Sequence, residues 1–183
     1  MARLLLLRHA KSAWGDPTLR DFDRPLNLRG RASAPLMGRH MADHRLAPDR
    51  VLCSSARRTR ETFAGILPFF ATDISAHFVR RLYETTEAGY LKTIRDLGGA
   101  ARTLLVIGHN PTIQSFALSM IDRGNPELTE QIREKYPTAG LAVIDVDGDD
   151  WSKLVPGTGR IVAFFRPREL ELVGGEETEE VDD

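Results

Sequence analysis

The chain has 183 residues, 42% of them hydrophobic and 28% charged, with a formal net charge of −1. This balance fits one globular domain and excludes a disordered or fibrous chain, and no run approaches the ~20 apolar residues that span a bilayer. Cys53 is the only cysteine, which excludes an internal disulfide and a cysteine-based metal site.

Leu4 to Leu7 opens the chain as a continuous apolar run of strand length. Such a run suits a central strand covered on both faces. It is short and meets Arg8 and His9 without a small-residue cleavage site, so no export signal is read there and a cytoplasmic location is expected. Ala34, Met37 and Met41 follow at helical spacing, with Pro35 predicting a kink. Val51 to Cys53 is a second buried strand, which makes Cys53 a packing residue. Phe63, Ile66, Leu67 and Phe70 mark a helix that Pro68 should end, and Leu91, Ile94 and Leu97 mark another. Leu104 to Ile107 is a third buried strand. The stripe Ile113, Phe116, Ala117 and Met120 predicts a helix with Asn110 as N-cap and Pro111 at its first position. Leu141 to Val146 and Arg160 to Phe165 predict a hairpin or edge pair, with Trp151 to Val155 a short strand between them. Residues 174–183 hold six acids and no base, which predicts a disordered tail after a single domain of residues 1–173. Strands alternating with helices give the fold class: α/β, a three-layer sandwich with a largely parallel central sheet.

The near-neutral total conceals an asymmetry. Residues 1–60 hold 13 Lys or Arg against 5 Asp or Glu, and 21 of the 25 basic residues in the chain are arginine. Guanidinium matches phosphate oxygens with a planar fork where lysine offers a point charge, so an anionic substrate is expected. The basic N-terminal third has no aromatic platform for stacking bases, and nucleic acid is not expected as a partner. Nor is a membrane.

Chemistry-bearing residues collect just after the three apolar strands. Arg8 and His9 follow the first, Ser54-Ser55-Ala56-Arg57-Arg58-Thr59-Arg60-Glu61-Thr62 follows the second, and Gly108-His109-Asn110-Pro111 follows the third. Open α/β sheets bind ligands at the carboxyl ends of their strands, and a helix start is a ready anion site.

Leu-Leu-Arg-His-Ala-Lys resembles the Arg-His-Gly signature of the histidine phosphatase (phosphoglycerate mutase-like) superfamily, and most of all its small SixA-type phosphohistidine phosphatase group. Asp21-Phe-Asp-Arg-Pro-Leu-Asn-Leu-Arg-Gly30 resembles that group's Arg-Pro-Leu block. Residues 49–62 resemble its Ser-Pro-x-x-Arg-Ala-x-Gln-Thr block, and Val106-Ile-Gly-His-Asn-Pro111 its second histidine block. The resemblance implies a phosphoglycerate mutase-like fold and a phosphatase acting on phosphohistidine in proteins or on small phosphomonoesters. It makes His9 the nucleophile, Arg8 and Arg58 phosphate clamps, and His109 the second pocket histidine. Arg57 is the near alternative to Arg58. Arg24 is a further phosphate contact and Asn110 a substrate-binding residue, while Lys11 and Arg29 read as solvated charges. Glu84, in Leu82-Tyr83-Glu84-Thr85-Thr86-Glu87, is the candidate general acid, with a surface carboxylate as the alternative. The chain departs from the pattern at Ala10, Ser55, Thr59 and Glu61, none of which removes positive charge. No Asp/Glu/His cluster has metal-ligand spacing, so neither a metal nor another cofactor is expected. The competing reading is a catalytically silent phosphate-binding or interaction module.

Overall fold

A computed structural model describes the backbone of residues 1–176 and the side chains through residue 171. The elements in chain order are β1 (Ala2–Arg8), α1 (Leu28–Asp43), β2 (Arg50–Ser54), α2 (Arg57–Ile66), β3 (Ser75–Val79), α3 (Glu87–Leu97), β4 (Thr103–Gly108), α4 (Thr112–Met120), β5 (Ile121–Gly124), α5 (Pro126–Glu134), β6 (Leu141–Val146), β7 (Gly159–Phe165) and α6 (Pro167–Glu176). The strands form one seven-stranded sheet in the order β3-β2-β4-β1-β6-β7-β5, in which only β6 runs antiparallel to its neighbours. This is the three-layer, phosphoglycerate mutase-like arrangement expected from the sequence.

The continuous apolar runs have a simple physical origin. Leu4 and Leu6 of β1 join Leu104, Val106, Tyr90, Ile94, Ile113 and Phe116 on one face of the sheet. Leu5 and Leu7 join Leu105, Ile107, Met37, Met41, Phe63 and Ile66 on the other. Successive strand side chains point to opposite faces, so a strand with helices on both sides must be apolar at every position. All four leucines are fully buried, each contributing about 1.5–3 kcal/mol by burial. Cys53 is fully buried in the second cluster, and that burial pushes its thiol up to about 12, as suits a packing residue.

α1 holds Pro35 in its middle. Other local expectations need correction. Trp151 to Lys153 forms a 3-10 turn instead of a strand, with Asp150 capping it through Ser152 and the Trp151 indole donating to the Ala101 carbonyl. α2 does end before Pro68, passing into a 3-10 turn at Leu67–Phe69. α6 extends to Glu176, so residues 174–176 of the expected disordered tail are helical, and residues 177–183 lie outside the described residues. No helix among the described residues is long and apolar enough to cross a membrane.

Candidate active site

The sheet order puts β2, β4 and β1 side by side and parallel, so their carboxyl ends open on one edge. The register aligns Arg8 with Gly108, and the His9 amide continues the ladder by donating to the Gly108 carbonyl at 3.0 Å. The two histidines are therefore brought together across adjacent strand ends, with ring centroids 5.3 Å apart. Ser54 and the first turn of α2 arrive from β2. Gly108 is required by a close approach: a Cβ there would lie 2.0 Å from the Tyr90 hydroxyl oxygen, which accepts a hydrogen bond from the His109 amide.

His9 is buried, and its Nδ1 lies 2.7 Å from the Ala10 carbonyl. A carbonyl can only accept, so Nδ1 carries the proton and Nε2 keeps its lone pair. Nε2 in turn accepts from Arg58 Nε at 3.3 Å. Burial pulls the His9 pKa down to about 3, against the hydrogen bond to Ala10, and the charges of Arg58, Arg8 and Arg24 lower it further. His9 is thus neutral, with its free nitrogen facing the guanidinium.

Arg58 is buried, whereas its neighbour Arg57 is exposed and paired with Glu61 at 2.7 Å. Arg58 also donates from Nη1 to the Asp21 carbonyl at 2.7 Å and from Nη2 to the Asp21 carboxylate at 3.1 Å. Arg24 reaches the same carboxylate at 2.9 Å, donates to Ser12 Oγ and the Ala13 carbonyl, and stacks on Trp14. Tyr83 completes the set by donating to Asp21 Oδ2 at 2.7 Å. Burial opposes ionisation of Asp21, yet the Tyr83 hydroxyl, Arg58 and Arg24 hold its carboxyl down at about 2.

His109 Nε2 lies 2.8 Å from Ser54 Oγ, which also accepts weakly from the Ala56 amide at 3.4 Å. His109 Nε2 is the one acceptor within reach of the Ser54 hydroxyl proton among the described residues, and the tautomer that uses it carries the ring proton on Nδ1. Nδ1 is buried and has no partner among the described residues. Burial, followed by the nearness of His9, Arg58 and Arg8, pulls the His109 pKa down to about 2 despite Asp21. His109 is therefore neutral in the free protein, and what it offers an anion is an N–H.

Arg8 Nη1 is held by the Tyr136 carbonyl at 2.7 Å, and Tyr136 is fixed beneath the site by its hydroxyl, which donates to the Leu6 carbonyl. Arg8 Nε is buried and unpaired. Asn110 is not a helix cap. α4 starts at Thr112 without a side-chain cap, and Asn110 Nδ2 is engaged by Gln114 and the Tyr136 carbonyl. Its Oδ1 is buried and has no partner among the described residues, while both amide hydrogens are engaged. Glu84 is exposed, while Tyr83 beside it turns inward, its ring edge-on to His109. The sequence reading missed Asp21, Ser54, Tyr83 and Tyr136. Asp21, Ser54 and Tyr83 lay within quoted segments, but nothing local distinguishes them from ordinary loop or strand-end residues. No group of three or more His, Cys, Asp or Glu suited to a metal occurs among the described residues.

Residues 4–89 match the family model of the histidine phosphatase superfamily, branch 1. An uncharacterized protein of Mycobacterium tuberculosis is 39% identical over 164 residues, which cover 88% of this chain and all of that protein. The chain belongs to the histidine phosphatase superfamily. Among solved structures, a candidate phosphohistidine phosphatase SixA from Agrobacterium tumefaciens is similar at a TM-score of 0.77 and 34% identity, over 91% of this chain and 98% of that one. The protein histidine phosphatase SixA complexed with tungstate gives 0.74 at 19% identity over 92% and 99%, a likeness of fold.

In this histidine phosphatase fold the two buried imidazoles make stability depend on pH. Histidines in an unfolded chain ionise near ~6.5, well above the folded values of about 3 and about 2. As pH falls below that unfolded value, the unfolded state takes up protons that the folded state refuses. The stability present above it should then be lost progressively, down to about pH 3 for His9 and about pH 2 for His109. Thermal unfolding followed between pH 7 and 4.5 should show a falling midpoint. A His9→Gln/His109→Gln variant should show a flatter profile, and an equal slope in both proteins would refute the assignment.

Proposed function

We propose that the protein is a metal-independent phosphatase that hydrolyses phosphohistidine on proteins, or small phosphomonoesters, through a phosphohistidine intermediate on His9. The observation that carries this reading is the combination of a neutral His9 with its Nε2 lone pair inward and two buried N–H donors without partners, Arg8 Nε and His109 Nδ1. Unpaired buried donors cost stability, about 1–3 kcal/mol each, and an anion that fills the site removes that cost. Membership of the histidine phosphatase superfamily and the likeness to the Agrobacterium SixA protein support the same reading.

In this mechanism His9 Nε2 attacks phosphorus in line, forming an N–P bond as the bond to the leaving group breaks. Arg58, Arg8 and Arg24, with the N–H of His109, offset charge on the equatorial oxygens. Asp21 keeps the Arg58 fork aimed at His9. Water then attacks the phosphohistidine, releasing inorganic phosphate and restoring neutral His9. Asn110 contributes by helping to hold the Tyr136 carbonyl that orients Arg8.

Purified protein should release nitrophenolate from p-nitrophenyl phosphate at an unchanged rate in EDTA and be inhibited by vanadate, which mimics five-coordinate phosphorus. Loss in EDTA that added divalent metal restores would overturn the mechanism. A protein that binds vanadate but releases no nitrophenolate would be a phosphate-binding module instead.

Glu84 enters the proposal as the acid that protonates poor leaving groups, a service typically worth ~100- to 10,000-fold. Glu84→Gln should slow alkyl phosphates by that order while sparing p-nitrophenyl phosphate, whose leaving group departs readily, and phosphohistidine, which solvent can protonate. Wild type already poor on alkyl phosphates and unchanged by Glu84→Gln would remove Glu84 from the mechanism. A uniform loss on all three would give it a structural or binding role.

A further inference from the structure

A groove of about 530 Å³ opens beside the catalytic cluster. Its walls come from Lys11 after β1, Arg29 on α1, Lys135 before β6, and Arg166 and Arg168 at the start of α6, with Arg8 at the inner end. Arg8 belongs to both regions, because its charge also acts on His9 and His109. The groove is thus continuous with the place where phosphorus would sit.

Several exposed arginines elsewhere are neutralised by a neighbour, as in Arg20–Asp23, Arg57–Glu61, Arg123–Asp147 and Arg133–Glu130, and others, such as Arg31, Arg45 and Arg60, have no ion pair among the described residues. The groove differs in gathering six cations against two carboxylates in one cleft. Here only Arg166 has a partner, Glu169. Arg8, Lys11, Arg29, Lys135 and Arg168 form no ion pair among the described residues, although Glu169 and Glu171 line the same groove. Unpaired cations gathered in a cleft raise the local concentration of anions and favour their binding.

We propose that this groove binds an acidic polypeptide segment flanking the phosphorylated residue of the substrate, an inference that deepens the phosphatase reading above and rests on it. The cations stand on long stems from four separate stretches of chain and are mostly exposed. A compact second phosphate needs donors converging on one point. Carboxylates spaced along an extended segment are matched by dispersed charges like these.

The test compares chemically phosphorylated histidine peptides with acidic or alanine flanks, using the full chain and an Arg29→Glu/Arg168→Glu variant. In the wild type kcat/KM should favour acidic flanks by about 10-fold, as charge complementarity in a partly exposed groove allows. The preference should collapse in the variant and in ~0.5 M salt, where the screening length falls to a few ångströms. Hydrolysis of p-nitrophenyl phosphate should be the same in both proteins. Equal rates on the two peptides in wild type, or a parallel fall on p-nitrophenyl phosphate in the variant, would overturn the proposal. A preference that emerges only when the chain is ended at Glu176 would make its own acidic C-terminal residues the occupant and overturn it as well. Fluorescence anisotropy with an unphosphorylated acidic peptide separates this inference from the phosphatase reading. Binding that the variant weakens, without turnover of any phosphate, would sink the enzyme and keep the groove, whereas turnover without binding or flank preference would do the reverse.

Discussion

His9→Ala is expected to abolish turnover, with a loss on the order of 10⁴-fold or more, the scale seen when a nucleophile is removed from a covalent mechanism. The fold should survive. His9 lies just past the end of β1, outside the two apolar clusters, and its side chain bonds only the adjacent Ala10 carbonyl and Arg58 among the described residues. Arg58 would lose its contact at His9 Nε2 but keep both bonds to Asp21, so the clamp should remain in place. Rapid quenching of wild type with phosphorylated substrate should trap an acid-labile, alkali-stable phosphoenzyme that His9→Ala cannot form. Near-normal activity in His9→Ala, with unfolding unchanged, would mean that the lone pair held toward Arg58 is not the attacking one.

Arg58→Lys should lower turnover by about 10- to 1000-fold, far more than a conservative change of charge would suggest. Arg58 makes three bonds in three directions at once, to His9 Nε2, the Asp21 carbonyl and the Asp21 carboxylate. An ammonium on a flexible stem cannot hold that planar set and still offer two parallel donors to a phosphoryl group. Arg57→Lys should cost little, because Arg57 is exposed and bonded to Glu61 one turn along α2, and such surface pairs are worth about 0.2–1 kcal/mol. Steady-state kinetics on p-nitrophenyl phosphate settle the ranking. The reverse order would put the clamp one residue earlier.

Much of the fold could be read along the chain because its central strands are buried on both faces. β1, β2 and β4 are apolar at successive positions, and such runs stand out without any knowledge of partners. The edge strands escaped notice for the opposite reason. β3 and β5 are largely exposed, and β5 has only four residues, so neither carries a continuous apolar run, and the alternation of Ile74, Ala76 and Phe78 with polar residues is too short to stand out. The cap at α4 was misread because Asn-Pro ahead of an apolar stripe has the composition of a helix start. The side chain of Asn110 is drawn instead to a carbonyl 26 residues away.

The site divides along the same line. Sequence alone determined its charged chemistry. His9, His109, Arg8 and Arg58 each follow a recognisable strand, and strand ends that share a sheet edge must meet. What only the tertiary structure decided was the state and aim of those groups. Arg58 is turned inward and Arg57 outward by the phase of α2, which a one-residue ambiguity in the motif leaves open. Asp21 reaches Tyr83 from 62 positions away to hold the clamp, and Ser54 meets His109 Nε2 from 55 positions away. Both histidines are kept neutral chiefly by burial, which depends on everything packed around them and on no pattern in their own neighbourhood. Residue types and strand positions are local properties of a chain, whereas protonation and orientation are set by low dielectric and by partners that only folding brings within reach.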